Sequence, residues 1–371
     1  VTADQMVTRP APSTTPDPSG LPAVSSWDEF TSLREIVVGH AKHSRIPEQD
    51  DPSAWLTCYP KLTRAELGKL EVGEVPAHIV EETDEDLAVF VATLRELGVT
   101  VHQPAVVDHG REFATPQWRS AGFQSYCPRD LTLVVGSTII EAPSPTRARY
   151  FELFGLRPLF QDYLLRGATW LAAPRPQLPD ELYLVDADGL PDLGEAEPVF
   201  DAANVLRLGR DLFYQVSRSG NELGLRWLES TVRLLGDIRV HPLRGIYGYT
   251  HIDSTISFLR PGLVLLNPGR IKPDAVPEPL RGWDVLWCPP LRQPAIWQPT
   301  LSEHWISMNL LMVDEEHAIV DADQPELISA LEQRGITVLP HRLRHARALG
   351  GGFHCVTLDT VRTGGPENYL D

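Results

Sequence analysis

Three short motifs hold the residue types needed for nucleophilic chemistry. Cys355 ends the run Gly350-Gly351-Gly352-Phe353-His354-Cys355. His251 and Asp253 stand in Thr250-His251-Ile252-Asp253-Ser254-Thr255, and Asp201 stands in Glu197-Pro198-Val199-Phe200-Asp201-Ala202-Ala203-Asn204. A fourth piece, Tyr126-Cys127-Pro128-Arg129-Asp130, adds another acid. A thiolate attacks an electron-poor carbon, an imidazole moves the protons, and carboxylates hold positive charge. That set suits a planar, cationic guanidinium carbon. An imidazolium beside the thiol would lower it from about 8.5 toward thiolate at neutral pH.

Each residue also has a plainer reading. An isolated cysteine is usually a core residue. Three glycines ahead of Cys355 argue instead for a backbone that approaches a ligand closely. His251 and Asp253 alternate, so on a strand they would share one face. Asp201 sits among apolar neighbours, where an acid needs a buried partner such as histidine. A helix N-cap or turn is its alternative. Asp130, after Pro128, would equally end a turn. His354 is given packing and no chemistry.

The elements that must position these residues form a repeat. Five corners share one pattern of helix end, glycine, short strand and proline, at residues 94–104, 164–174, 234–242, 280–289 and 331–340. Glycine ends a helix because it accepts positive φ, and proline stops the strand because it cannot donate to a ladder. Ahead of most corners stand paired strand patterns. They are Leu131–Val135 with Thr138–Glu141, Asn204–Leu208 with Asp211–Val216, Thr255–Leu259 with Leu263–Leu266, and Leu310–Val313 with Ala318–Val320. The unit is strand, strand, helix, strand. The first copy has one early strand, Leu33–Val38, then an insertion to about residue 79. A C-terminal strand near Phe353–Asp359 would complete it and close a ring. An open α/β sheet is the alternative.

Composition narrows the function classes. The chain has 371 residues, 42% apolar and 22% charged, as in globular proteins. Lys+Arg is 33 against Asp+Glu 50, a formal charge of −17 with no basic tract, so a nucleic-acid or anionic-membrane surface is not expected. Cys58, Cys127, Cys288 and Cys355 form no CxxC pair, which argues for free thiols in a reducing cytoplasm. No GxGxxG, Walker or HExxH motif is present, so neither a cofactor nor a metal is expected. Residues 1–25 read as a disordered Pro/Ser/Thr-rich tail before one domain over 26–371. Apolar runs are strand-length, so no membrane span is expected.

The chain resembles the arginine-dependent amidinotransferases, which include glycine and inosamine-phosphate amidinotransferases. The likeness runs from about residue 27 to the end. It is carried by CPRD at 127–130, EPVFDAAN at 197–204, HIDST at 251–255, NPGR at 267–270, WISMN at 305–309 and LGGGFHC at 349–355. It implies an α/β fold, a five-bladed propeller of ββαβ modules with pseudo-fivefold symmetry (pentein type). It implies Cys355 as the nucleophile that carries the amidino group, His251 as general acid/base and Asp201 as its orienting carboxylate. Asp130 and Asp253 would clamp the guanidinium, and Arg270 and Ser307 would contact the amino-acid end of L-arginine.

The implied reaction moves the amidino group of L-arginine to a small primary amine and releases L-ornithine. Thr250 and Tyr126-Cys127 are similar to the aminocyclitol enzymes, while Trp305–Asn309 is similar to the glycine enzyme. Thr250 directly precedes His251, so its side chain should shape the acceptor space. An aminocyclitol or its phosphate is therefore expected as acceptor, with glycine or another amino acid as the alternative. A guanidine hydrolase of the arginine deiminase kind and a non-catalytic binding protein on the same scaffold are the competing readings. A homodimer would be ordinary.

Overall fold

The computed structural model describes residues 22–48, 50–57, 72–293 and 300–370. Cys58 lies outside the described residues, as do residues 1–21 of the expected tail. Nearer the domain, Val24 is buried and Ser25 N donates to Thr360 O, so paired chain reaches back to that point.

Among the described residues, five separate three-stranded sheets hold the protein together. In the first, β1 (Leu33–Val38) is central, with β2 (Thr100–His102) parallel on one side. The second has β3 (Thr132–Val135), β4 (Thr138–Glu141) and β5 (Thr169–Ala172). The third has β6 (Val205–Leu208), β7 (Asp211–Gln215) and β8 (Arg239–Leu243). The fourth has β9 (Ile256–Arg260), β10 (Leu263–Leu266) and β11 (Asp284–Trp287). The fifth has β12 (Leu311–Met312), β13 (His317–Asp321) and β14 (Thr337–His341). In each of these four the first two strands pair antiparallel and the last joins parallel. The last strand of the chain, β15 (Thr357–Arg362), pairs antiparallel with β1 and gives the first sheet the same form. The expected completion of the first unit by the C-terminus is thus observed, a few residues later than expected.

The parallel strand needs a crossover, and a helix supplies it in four units. These are α1 (Ala77–Glu96), α2 (Arg157–Leu165), α3 (Glu222–Val232) and α4 (Pro325–Glu332). On α1 the buried residues Ile79, Thr83, Leu87, Phe90, Val91 and Leu94 recur at helical spacing, so one stripe faces the core. Four corner glycines, Gly98, Gly167, Gly236 and Gly335, have positive φ. The fourth unit departs from the pattern: its crossover carries only 3-10 turns at Pro273–Ala275 and Glu278–Leu280. Pro273, Pro277 and Pro279 explain this, because each removes a helix donor. Gly282 accordingly follows no α-helix.

Charges are buried between the sheets. Arg207 Nη2 lies 2.8 Å from both Glu29 Oε2 and Asp359 Oδ2. Arg129, from the CPRD motif, joins this cluster and donates from Nε to the carbonyls of His354 and Thr357 at 2.8 and 2.9 Å. Among the described residues no helix is long and apolar enough to cross a membrane.

Candidate active site

Each sheet sends one turn to the same place. Asp130 closes a 3-10 turn (Pro128–Asp130) two residues before β3. Asp201 immediately precedes the turn Ala202–Asn204 and then β6. Asp253 lies in the turn Ile252–Ser254 before β9, with His251 at its start. Asn309 follows the turn His304–Met308 before β12. Cys355 stands two residues before β15. The expectation that His251 and Asp253 share a strand face is corrected here: both lie on a tight turn, which splays their side chains to different partners.

The glycine run works by close approach. Gly350 ends the short helix Ala346–Leu349 with φ +82°. A Cβ at Gly351 would stand 2.5 Å from Cys127 Sγ, and one at Gly352 would stand 2.8 Å from Asn309 Cβ. Any larger residue would push the loop off its neighbours. Asn309 Oδ1 then accepts from the backbone N–H groups of His354 and Cys355, both at 3.0 Å. Buried Asn309 is a positioning residue that its place at the end of WISMN signals only weakly.

Cys355 Sγ donates to Asp253 Oδ2 across 3.1 Å, and the residue is 1% exposed. Burial, together with the charges of Asp253 and Asp130, holds the thiol well above its ordinary range. The expected thiolate in the free protein is therefore corrected: nearby carboxylates outweigh any imidazolium. Asp253 itself is held low: burial would raise it, but a hydrogen bond from His354 and the charges of His354 and His251 prevail. His354 has more than packing to do. Its Nδ1 lies 2.9 Å from Asp253 Oδ2 and its Nε2 lies 3.1 Å from Glu29 Oε2. The ring thus links the site to the buried ion cluster.

His251 Nε2 lies 2.9 Å from Asp201 Oδ2, and its Nδ1 lies 3.7 Å from Asp130 Oδ1. Burial alone would lower His251, but the Asp130 charge and the Asp201 hydrogen bond raise it to about 9. Asp130 is raised by burial, against the pull of His251 and Arg149. Arg149 Nη1 donates to Asp130 Oδ2 at 2.7 Å, and its other side grips Glu152 at 2.8 and 2.9 Å. Glu152 is pushed up to about 7 by burial, which outweighs Arg149. Neither Arg149 nor Glu152 was foreseen, since nothing local marks RARYFE as part of a site.

These groups line a cleft of about 620 Å³, mouth included, that reaches Asp130, His251, Asp253 and Cys355. Arg270 lies on its wall with its guanidinium 3.4 Å above the Tyr247 ring centroid. Its Nη1 donates to Ser254 Oγ and Thr255 Oγ1 at 2.9 and 2.8 Å, while its buried Nε has no partner. Thr250 lines the cleft as expected. From the stretch around WISMN the lining residues are Ser302, Glu303 and Ile306, and Ser307 is not among them. Tyr247 OH donates to Glu303 Oε1 at 3.2 Å. Asp201 is fully buried behind His251. Among the described residues no group of His, Cys, Asp and Glu is arranged to hold a metal ion.

No family model matches the chain. Over 348 residues, 93% of this chain and 99% of the relative, it is 46% identical to inosamine-phosphate amidinotransferase 1 of Streptomyces glaucescens. The chain belongs to the amidinotransferases. The mitochondrial glycine amidinotransferase of Xenopus tropicalis is 36% identical over 367 residues, 94% of this amidinotransferase and 85% of the relative. The solved inosamine-phosphate amidinotransferase of Streptomyces griseus superposes at TM-score 0.89 with 45% identity, covering 94% of this chain and 99% of that one. The dimethylarginine dimethylaminohydrolase of Pseudomonas aeruginosa shares the fold alone, at TM-score 0.56 and 13% identity over 88% of this chain and 99% of that one. The amidinotransferase fold is thus shared with hydrolases, while its sequence likeness runs with the transferases.

Proposed function

We propose that this amidinotransferase moves the amidino group of L-arginine through Cys355 to the primary amine of an aminocyclitol or its phosphate, releasing L-ornithine. The carrying observation is a buried thiol 3.1 Å from Asp253, in one cleft with Asp130 and the His251–Asp201 pair.

The guanidinium enters between Asp130 and Asp253, whose carboxylates match its N–H edges. Its positive charge offsets the carboxylates that keep the thiol protonated. As the guanidinium binds, the thiol gives up its proton to solvent at the mouth of the cleft, and sulfur attacks the guanidinium carbon. His251, protonated at neutral pH, gives its proton to the departing amine, and ornithine leaves. The neutral His251 then takes a proton from the incoming amine, which attacks the amidino-thioester carbon. Collapse expels sulfur, which recovers a proton from solvent. Arg270, with an unpaired Nε, receives the carboxylate of arginine, and Tyr247 and Glu303 complete that end in place of Ser307.

An aminocyclitol acceptor is supported by the 46% identity to an inosamine-phosphate enzyme against 36% to a glycine enzyme. A role in antibiotic biosynthesis follows from the same relatives. The five sheets are read as blades of one propeller, a single domain from residue 26 with the site at its axis, because each sends one turn to the cleft or directly behind it. No cofactor enters the scheme. We place the enzyme in the cytoplasm, where its thiols stay reduced, as a homodimer. Incubation with arginine and a panel of primary amines tests the reaction. Ornithine formed in step with a guanidinylated cyclitol is expected, and citrulline from arginine alone would refute transfer.

A further inference from the structure

The cleft holds one buried polar side chain that the reaction above leaves idle. Gln124 lines it and is 2% exposed, yet its Oε1 has no hydrogen-bond partner. Its backbone is pinned on both sides. Phe123 O accepts from Arg45 N at 2.8 Å, and Ser125 O accepts from His40 N at 3.1 Å. The backbone that carries the amide is therefore held in the wall of the cleft. Burying an amide oxygen unpaired is costly, and sites that do so usually leave the vacancy for a ligand donor.

Of the other polar groups, Arg149 holds Asp130, Ser254 Oγ accepts from Arg270, Ser302 Oγ donates to Arg347 O, and Thr250 borders the acceptor. Asp130, Asp253, His251 and Cys355 meet the reacting carbon, and Arg270, Tyr247 and Glu303 meet the amino-acid end of arginine. Charged groups already face the guanidinium and the carboxylate of arginine, which leaves neutral Gln124 for a neutral donor. An orphan carbonyl oxygen calls for a donor. A hydroxyl donates, whereas carboxylate and phosphate oxygens cannot.

We infer that Gln124 is a specificity-determining residue that accepts a hydrogen bond from a ring hydroxyl of the amine acceptor. This rests on the aminocyclitol reading and deepens it: the enzyme selects polyhydroxylated amines over amines without hydroxyls. A site built to bind a hydroxyl rejects the analogue lacking it, because its own polar group is then left unpaired.

The test uses the full chain, with inosamine phosphate and cyclohexylamine as acceptors. They share a ring and a primary amine and differ in the polar substituents. Arginine alone is followed in single turnover by ornithine release. In Gln124→Met, kcat/KM for inosamine phosphate should fall about 10- to 100-fold. Cyclohexylamine turnover and the ornithine burst should stay within about twofold of wild type. Gln124→Ala, which removes bulk, should give the same ordering if Met distorts the wall. Equal loss of the arginine burst would overturn the inference, since Gln124 would then serve the donor. So would unchanged inosamine turnover in both variants. Wild type that forms the amidino-enzyme but transfers to glycine and to no cyclitol would refute the acceptor reading and this inference together.

Discussion

The thiol of Cys355 donates to Asp253 Oδ2 across 3.1 Å, and that carboxylate also receives His354 Nδ1 at 2.9 Å. Asp253 thus keeps the nucleophile aimed and, by its charge, keeps it protonated until a cation arrives. Burial acts in the same direction. Alkylation of Cys355 by iodoacetamide should therefore titrate well above about 8.5, the value for a free thiol. Asp253→Asn should move that titration downward, since a negative neighbour is lost. An unshifted titration would remove the carboxylate from control of the thiol.

Covalent capture distinguishes Cys355 from its neighbour. Cys127 is also buried and lies beside Gly351, and its thiol is likewise pushed up, by burial first and by Asp130. Arginine without acceptor should leave an amidino group on the peptide that contains Cys355, read by mass spectrometry. Cys355→Ala should abolish turnover with its melting transition retained. A label on Cys127 would reassign the nucleophile.

The His251–Asp201 pair predicts a pH limb. His251 is raised to about 9, so the proton it gives to ornithine is present at neutral pH and is lost as pH rises through that value. The kcat/KM for arginine should fall on the alkaline side near pH 9. Asp201→Asn removes the charge and leaves only a neutral acceptor for His251, so the limb should move to lower pH. His251→Ala should cost about 10²–10⁴-fold in rate. A limb that stays in place in Asp201→Asn would break the pairing.

Much of this was legible because it is local. The paired runs Thr138–Glu141 and Leu263–Leu266 were read with the bounds observed, since turn residues and apolar runs delimit them. The fourth crossover was not, because three prolines override the pattern of the other corners. In the site, Cys355, His251, Asp201, Asp130 and Asp253 do converge on one cleft or directly behind it. The supporting shell was hidden for the opposite reason. Arg149 meets Asp130 only through folding, Glu29 meets His354 across 325 residues, and Asn309 reaches the Cys355 loop across 46. Ser307 is one position in a turn that reaches the cleft through Ile306, and resemblance alone does not say which way a turn residue points.

Arg149 stands between two buried carboxylates, with its side chain 3% exposed. Arg149→Met would leave Glu152 without its counterion and Asp130 with His251 alone. Breaking a buried pair this way costs about 3–5 kcal/mol. The loss should shrink as pH falls, because the unpaired carboxylates, already raised by burial, then protonate. Urea denaturation at pH 8 and pH 5.5 checks both the size and the sign.

Thr250 tests which half of the reaction a wall residue serves. Its carbonyl accepts from buried Gln215, which fixes its backbone, while its side chain lines the cleft next to His251. Arginine is held by charge at Asp130, Asp253 and Arg270, contacts that a neutral swap at Thr250 leaves intact. The acceptor must approach His251 to lose its proton, and it passes Thr250 to do so. In Thr250→Leu the ornithine burst from arginine alone should therefore remain within a few-fold. The ratio of kcat/KM between inosamine phosphate and glycine should change by about tenfold or more, the scale of one or two methyl groups in a contact. Measured in competition, an unchanged ratio with a weakened burst would assign Thr250 to the donor. Glycine preferred by the wild type would leave transfer through Cys355 standing and move the acceptor to the amino acids.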